Sequence, residues 1–288
     1  MKILTDERCL EFSRPHHPEH PDRVSSVLAR LRTQSRVGLE MLTPPDLPEE
    51  SLLRGHTARH LERIKAPAGD FDDDTPGYAG IFEHARRAAA GAVEAMRLAR
   101  KGETAFSLLR PPGHHASWER AKGFCYLNSM AIAALEARVQ GSRRVAVFDF
   151  DVHHGDGTEE ILTGCPGVAF FSVHQFPSYP GTGAAHNGPN SFNYPVPPNS
   201  LRQDYLRGLG RAIEDLKRFE PDLLGVSAGF DAYVHDPVGE QGLEVDDFYW
   251  LGQVFRGLEA PVFSILEGGY SNDLPELVLA YLAGLEGK

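Results

Sequence analysis

In the segment VAVFDFDVHHGDGT, which spans residues 145–158, carboxylate and imidazole side chains alternate with apolar ones. If the apolar run continues as a strand, its alternation places Asp149, Asp151 and His153 on one side. Both side-chain types are suitable ligands for a divalent metal ion, and a catalytic zinc ion typically has three protein ligands and one open position for water. We therefore expect Asp151 and His153 to be metal ligands. Acidic caps and surface histidines are the alternative, which the grouping of these residues after a β-like run disfavours.

Asp231 is the best candidate for a third ligand, because it directly follows the apolar run DLLGVSAGF. On its own, this aspartate could simply cap the segment that follows it. Together, Asp151, His153 and Asp231 would form a mixed oxygen and nitrogen site, which suits zinc but also ferrous iron, manganese or cobalt.

Two adjacent histidines, His114 and His115, lie in the turn RPPGHHA after another apolar run. Hydrolysis by metal-activated water needs a base for the water proton and an acid for the departing amine, and two imidazoles can share these duties. Asp149 and Asp156 remain available as carboxylates that orient the histidine rings. One of the two histidines could instead be structural.

Tyr270 ends the segment LEGGY, in which two glycines allow a tight backbone turn. Its hydroxyl could polarise a substrate carbonyl, as oxyanion donors do. Ordinary packing is the alternative for a tyrosine at a strand end.

Short apolar runs alternate with helical patterns along the chain, which predicts βαβ units and a parallel sheet. The runs are ILT, AFSLLR, VAVFDFDV, VAFFSVH, DLLGVSAGF and PVFSILEGGY. Helical spacing covers residues 77–100, 201–219, 245–258 and 274–285, and the Pro- and Gly-rich stretches 66–80, 176–200 and 235–242 are short enough for loops. Because ligands bind beyond the carboxyl ends of parallel strands, we expect the polar clusters that follow these runs to converge.

Composition limits the other possibilities. With 288 residues, of which 41% are hydrophobic and 24% charged, the chain is expected to form one domain over residues 1–288. A net charge of -11 without a Lys or Arg run argues against direct binding of nucleic acid. We expect a cytoplasmic protein without a membrane segment, because there is neither a run of roughly 18 apolar residues nor a signal peptide. Cys9, Cys125 and Cys165 lie outside any CxxC spacing, which indicates reduced thiols.

Seven ordered motifs resemble the histone-deacetylase-like branch of the arginase/deacetylase superfamily, which includes acetylpolyamine amidohydrolases and acetoin-utilisation proteins. They are HPEHPDRV, RPPGHHA, GFCYLN, DFDVHHGDGT, FFSVHQFPSYPGTG, SAGFDAYVHDP and LEGGY, and they cover nearly the whole chain. The resemblance implies a single α/β domain with an eight-stranded parallel sheet flanked by helices. It also implies a zinc ion on Asp151, His153 and Asp231.

The same resemblance implies the roles of the remaining site residues. His114 and His115 would be tandem catalytic histidines, hydrogen-bonded to Asp149 and Asp156 respectively, and Tyr270 would polarise the carbonyl.

The walls of a substrate tunnel also follow from the resemblance. Phe124 and Tyr179 would be its aromatic walls, Gly123 would offer a backbone carbonyl nearby, and Asp74 would grip the substrate backbone at the rim. Core packing is the alternative for the aromatic residues, and a solvated acidic loop is the alternative for Asp74.

Relatives often hold a potassium ion near the zinc ligands. In this chain the ion would be bound by the backbone carbonyls of Asp149, Asp151, His153 and Val173 and by the hydroxyl of Ser172.

The substrate is the least determined feature. Polyamine-selective relatives carry an acidic gatekeeper where this chain has Val238, which favours acetyl-lysine over acetylpolyamines, although Glu240 could still face a cation. A deacetylase of acetylpolyamines or other small amines is the first alternative. A non-catalytic binding protein on the same fold and a two-metal ureohydrolase rank lower, and the oligomeric state stays open.

Overall fold

Eight parallel strands form the central sheet of the computed structural model, which describes all residues from Met1 to Lys288. The strands are β1 (Lys2–Leu4), β2 (Glu40–Leu42), β3 (Ala105–Ser107), β4 (Val145–Asp149), β5 (Val168–Gln175), β6 (Ser191–Val196), β7 (Leu223–Ala228) and β8 (Val262–Leu266). Their order across the sheet is β2-β1-β3-β8-β7-β4-β5-β6, and every neighbouring pair is parallel. The prediction of an eight-stranded parallel sheet is confirmed.

Helices cover both faces of this sheet. They are α1 (Asp22–Thr33), α2 (Glu49–Leu52), α3 (Ala58–Lys65), α4 (Ile81–Ala99), α5 (Ser129–Val139), α6 (Asp156–Leu162), α7 (Arg202–Phe219), α8 (Val245–Arg256) and α9 (Leu274–Glu286). The four predicted helical segments correspond to α4, α7, α8 and α9. None of the helices combines the length and the apolar character that a membrane crossing requires.

Two hydrophobic cores lie on opposite faces of the sheet, and strand alternation divides the residues of β4 between them. Ala146 and Phe148 belong to the core built with α1, α7, α8 and α9, whereas Val145 and Val147 belong to the core built with α3, α4, α5 and α6. A strand covered on both sides must be apolar at nearly every position, which explains the continuous run in the sequence.

Two edge strands were not predicted. β6 lies within residues 176–200, which we expected to be a loop, and β2 has no strong apolar signal. Both end the order of the sheet, so each has only one neighbouring strand. The sequence of β6, SFNYPV, contains Pro195, which an edge strand tolerates because one row of its backbone N–H groups needs no partner.

Four adjacent strands carry the predicted site. In the order β3-β8-β7-β4, they lead into RPPGHHA, the GGY turn, the segment from Gly229 to Asp231 and the DFDVHH segment. Because all strands are parallel, these four loops leave the same edge of the sheet. One detail differs from the prediction: β4 ends at Asp149, so Asp151 and His153 lie in the following loop and not on a continuing strand.

The segments that follow the loops begin with residues that suit a helix start. Asn128 caps α5, because its side-chain oxygen accepts a hydrogen bond from the backbone N–H of Ala131 (2.9 Å). Asp156 lies in the first turn of α6, where a negative charge is favoured by the helix dipole. These two helix starts hold the loops beneath the site.

Candidate active site

A cavity opens at the carboxyl edge of the sheet, above the loops that follow the four central strands. Its lining consists of Asp74, Pro112, His114, His115, Gly123, Phe124, His153, Tyr179, Val238 and Tyr270. All of these except Pro112 are site residues that the sequence predicts. The structure therefore brings the tandem histidines, the tyrosine and the tunnel residues to one place.

The expected metal ligands meet at the floor of this cavity. Ligand atoms of Asp151, His153 and Asp231 all lie within 4.8 Å of one another. His153 Nδ1 is 3.1 Å from Asp151 Oδ1 and 3.1 Å from Asp231 Oδ2. Both aspartates are fully buried, and neither pairs with a lysine or arginine. Two buried carboxylates that share one imidazole as their partner are costly, so this donor set fits a divalent cation.

Each of these carboxylates is anchored by a backbone N–H from another loop. Val152 N–H donates to Asp231 Oδ1 (2.7 Å), and Gly268 N–H donates to Asp151 Oδ2 (2.7 Å). A Cβ atom at Gly268 would lie 2.2 Å from Asp231 Oδ2, so only glycine allows the GGY turn to approach this closely. The donors are thereby oriented by the backbone as well as by each other.

Crowding of negative charge perturbs the ionisation of these residues. Burial alone lowers the pKa of His153, but hydrogen bonds to Asp151 and Asp231 outweigh it and raise the pKa to about 10. Burial, reinforced by the negative charge of Asp151, raises the pKa of Asp231 to about 7. A cation bound among them would relieve this repulsion.

The tandem histidines each donate to a different carboxylate. His114 Nδ1 is 3.1 Å from Asp149 Oδ2, and His115 Nδ1 is 2.9 Å from Asp156 Oδ1. Their ring centroids are 4.0 Å apart. With Nδ1–H donated to a carboxylate, Nε2 is an acceptor in a neutral imidazole and a donor in a charged one.

Their electrostatic surroundings differ. Burial lowers the pKa of His115 to about 3, and the charge of His114 acts in the same direction. Burial also lowers the pKa of His114, but the charges of Asp151 and Asp149 outweigh this and raise it well above the ordinary value. The surroundings therefore favour the uncharged form of His115 and the charged form of His114.

Glu267, a residue that the sequence reasoning missed, fixes the backbone of the tandem histidines. Its carboxylate is buried and accepts hydrogen bonds from the backbone N–H groups of Gly113 (2.7 Å) and His114 (3.2 Å) and from Ser227 Oγ (3.2 Å). Burial raises its pKa to about 7. A signal was present, because this glutamate belongs to the LEGGY motif from which we selected only the tyrosine. Glu267 also lies with His114 and Cys125 in a second group of potential metal donors, but its oxygens already have protein partners.

Arg23, also missed, supports the turn that carries Tyr270. Its guanidinium donates to the carbonyls of Gly269 (2.7 Å) and Glu267 (2.5 Å) and lies 4.6 Å from the centroid of the Tyr270 ring. Glu19 accepts from Arg23 at 3.3 Å and more closely from Arg110 (2.6 Å), so the two buried guanidinium groups share one carboxylate. Burial raises the pKa of the Tyr270 phenol well above its usual range, so the hydroxyl stays protonated.

Aromatic rings form part of the cavity wall. The ring of Phe124 packs against Tyr270, with centroids 5.9 Å apart, and Tyr179 meets His115 edge-on at 5.0 Å. Phe124 has a φ of 69°, which is unusual for a residue with a side chain, and Gly123 before it has a φ of 55°. A Cβ atom at Gly123 would lie 2.6 Å from the His115 ring, so glycine is required there.

The predicted substrate contacts at the rim differ in whether they line the cavity. Asp74 and Val238 line the cavity, whereas Glu240 does not. The carboxylate of Glu240 instead accepts a hydrogen bond from the side-chain amide of Gln175 (3.0 Å). That Glu240 faces a substrate cation stays a prediction.

The residues of the expected potassium site are adjacent but have other partners. Asp149 and Ser172 lie opposite each other in the β4–β5 pairing. The Ser172 hydroxyl is 2.8 Å from His174 Nδ1, and the Val173 carbonyl accepts from the Tyr205 hydroxyl (3.0 Å). Potassium binding stays a prediction.

Comparisons with known proteins show the family to which the chain belongs. Residues 17–285 match the family model described as "Histone deacetylase domain". The chain is 34% identical over 307 residues to a "Probable deacetylase" of Archaeoglobus fulgidus, covering 99% of this chain and 86% of that protein. It is 33% identical over 303 residues to acetylpolyamine amidohydrolase 1 of Pseudomonas aeruginosa, covering 88% and 86%. A crystal structure of the HDA15 HD domain superimposes with a TM-score of 0.92 at 30% identity, covering 100% of this chain and 91% of that one. The chain therefore belongs to the histone deacetylase family of amidohydrolases.

Proposed function

We propose that the protein is a zinc-dependent deacetylase that hydrolyses the amide of acetyl-lysine or a similar acylated amine. The observation that carries this proposal is the convergence in one cavity of the donor set Asp151, His153 and Asp231, the paired histidines and Tyr270. Each group alone has a structural explanation, but together they match the needs of amide hydrolysis by activated water.

A metal ion bound by Asp151, His153 and Asp231 would activate a water molecule and polarise the amide carbonyl. His115, uncharged and with its Nε2 free, suits the uptake of the proton that the attacking water loses. His114, whose charged form is favoured, suits the delivery of a proton to the departing amine. Asp156 and Asp149 hold the two rings in orientation through Nδ1.

Tyr270 stabilises the negative charge that develops on the carbonyl oxygen. Its hydroxyl stays protonated because burial raises the phenol pKa, and the Arg23 guanidinium fixes the turn on which it lies. A donor held in place before the reaction loses no reorganisation energy when the oxyanion forms.

The tunnel walls favour a linear aliphatic amine. Phe124 and Tyr179 offer apolar faces to a methylene chain, and Gly123 lies between them with a backbone carbonyl that accepts from Cys125 Sγ (3.3 Å). Val238 at the rim is uncharged, which favours acetyl-lysine in a peptide over a free polyamine.

A second candidate, an acetylpolyamine deacetylase, is favoured by charges at the mouth. Asp73 and Asp74 are exposed, Asp72 lies beside them, and none of the three pairs with a lysine or arginine. These charges would attract a substrate that carries further ammonium groups. The naming of one relative as an acetylpolyamine amidohydrolase supports the same candidate.

A substrate panel separates the candidates. Zinc-loaded protein is assayed for kcat/KM on an acetyl-lysine peptide, N-acetylputrescine and N-acetylspermidine. The first candidate predicts the highest value for the peptide, and preference for the polyamines by orders of magnitude would establish the second. If none of these nor an activated trifluoroacetyl-lysine peptide were hydrolysed, the deacetylase proposal would fail.

A further inference from the structure

The two histidine–carboxylate pairs differ in what contacts the far oxygen of the carboxylate. Asp149 accepts from His114 through Oδ2 and from the backbone N–H of Asp151 through Oδ1 (3.1 Å). Asp156 accepts from His115 through Oδ1, and its Oδ2 receives the ammonium group of Lys122. Only the pair that contains His115 is therefore completed by a cationic side chain.

Asp156 needs this partner because it lies mostly out of solvent. Its side chain is 13% exposed, and that of Lys122 is 25% exposed. Although burial opposes the charged form, hydrogen bonding to His115 and the charge of Lys122 hold the pKa of Asp156 down, at about 2. No other lysine or arginine contacts this carboxylate, so Lys122 supplies its countercharge.

Lys122 also begins the turn that forms part of the cavity wall. Its backbone N–H donates to the Cys125 carbonyl (3.0 Å), and the Cys125 N–H donates back to the Lys122 carbonyl (3.0 Å). Between them lie Gly123 and Phe124, both of which line the cavity. The side chain of Lys122 thus ties this turn to the carboxylate behind His115, although Lys122 itself does not line the cavity.

We propose that Lys122 is a positioning residue for the hydrolytic reaction, in which its ammonium group holds Asp156 so that Asp156 keeps the His115 ring directed into the cavity. This inference rests on the proposed deacetylase function. Without the ammonium group, Asp156 has a single side-chain partner and is free to rotate towards solvent, and the His115 ring loses its fixed acceptor.

The test compares Lys122→Met and Lys122→Arg in the full zinc-loaded chain. Lys122→Met should lower kcat on the best substrate by about tenfold while KM changes by less than about twofold, because orientation of His115 matters for proton transfer and not for uniform binding. Lys122→Arg keeps a cation that can contact Asp156 and should restore most of kcat. Lys65→Met is the matched control. It removes an exposed lysine that pairs with Glu49 and Glu62 outside the cavity, and it should leave kcat unchanged.

A double-mutant cycle with Asp156→Asn tests whether Lys122 acts through Asp156. If it does, adding Lys122→Met to Asp156→Asn should cause little further loss of kcat, because the group that Lys122 holds is already altered. Zinc content of Lys122→Met should match that of the wild type, and the kinetic constants are measured well below its thermal midpoint, which the loss of the Asp156 countercharge should lower. The inference would be overturned if the kcat losses of the two single variants multiplied in the double variant. It would also be overturned if kcat of Lys122→Met were unchanged, or if Lys122→Arg did not restore the loss.

A readout independent of turnover keeps the two proposals apart. The hydrogen-bonded Nδ1–H of His115 should give a downfield proton resonance that shifts or broadens in Lys122→Met and stays in place in Lys65→Met. A wild type that hydrolyses no acylated amine refutes the deacetylase proposal alone, whereas an unchanged His115 resonance in Lys122→Met refutes the role of Lys122.

Discussion

Replacing Tyr270 with Phe removes one hydroxyl from the cavity wall and little else. The ring contacts with Phe124 and with the Arg23 guanidinium involve the face and edge of the ring, which phenylalanine keeps. The turn is held by backbone bonds, since the N–H groups of Tyr270 and Ser271 donate to Asp236 at 2.6 and 3.1 Å. The proposed metal donors are Asp151, His153 and Asp231, which the substitution leaves in place. The variant should therefore fold, bind zinc and bind substrate as the wild type does.

The expected loss falls on the chemical step. A single preorganised donor to an oxyanion is worth about 2.7–4 kcal/mol, so kcat should fall by about 10²–10³-fold. The assay is steady-state hydrolysis of the best substrate of the panel, with kcat and KM measured separately, together with zinc content and thermal midpoint. Tyr233→Phe is a matched control, because its hydroxyl contacts Asp273 (3.0 Å) outside the cavity lining. A kcat of Tyr270→Phe close to that of the wild type would refute the assigned role.

Three further changes test other parts of the site and fold. Asp231→Ala removes one of three metal donors and should reduce both zinc affinity and kcat; retention of one zinc per chain after dialysis against a weak chelator would contradict the donor assignment. Glu267→Leu leaves two backbone N–H groups without an acceptor and should lower the free energy of unfolding, measured with denaturant, by about 1–3 kcal/mol. Glu267→Gln keeps an acceptor oxygen and should lose less stability. Equal losses in the two variants would contradict this reasoning. Burial lowers the pKa of His56 to about 3, with His60 acting in the same direction, so the unfolded chain binds a proton at higher pH than the folded chain. The contribution of His56 to stability is complete above about pH 6.5 and is lost as the pH falls towards 3. In His56→Gln, the free energy of unfolding should therefore depend less steeply on pH over this range. An unchanged pH dependence would contradict the role assigned to His56.

The residues that line the cavity could be predicted because their signals are local. Polar clusters such as DFDVHH and GFD follow apolar runs directly, and parallel strands bring their carboxyl ends to one edge whatever the distance along the chain. Tyr270 and the tandem histidines were found in the same way. The edge strand β6 was missed because it contains Pro195 and lies in a Pro- and Gly-rich stretch, so its strand character depends on pairing with β5.

The partners of residues that act behind the lining had no comparable local signal. Lys122 contacts Asp156, 34 residues away, and Arg23 reaches the carbonyl of Gly269, 246 residues away. Nothing in the spacing around Lys122 indicates that its ammonium group meets a carboxylate. The partner of Glu240 was likewise decided by the approach of Gln175 across the fold.

The sequence by itself determined which side chains are available for chemistry and which strand each one follows, because both depend on residue type and on neighbours along the chain. Tertiary structure alone decided the strand order β3-β8-β7-β4, and with it the meeting of Asp151 and His153 with Asp231. It also decided which charges balance the buried carboxylates. These features depend on contacts between segments that are distant along the chain. Such contacts form only after both faces of the sheet have packed and brought the loops together.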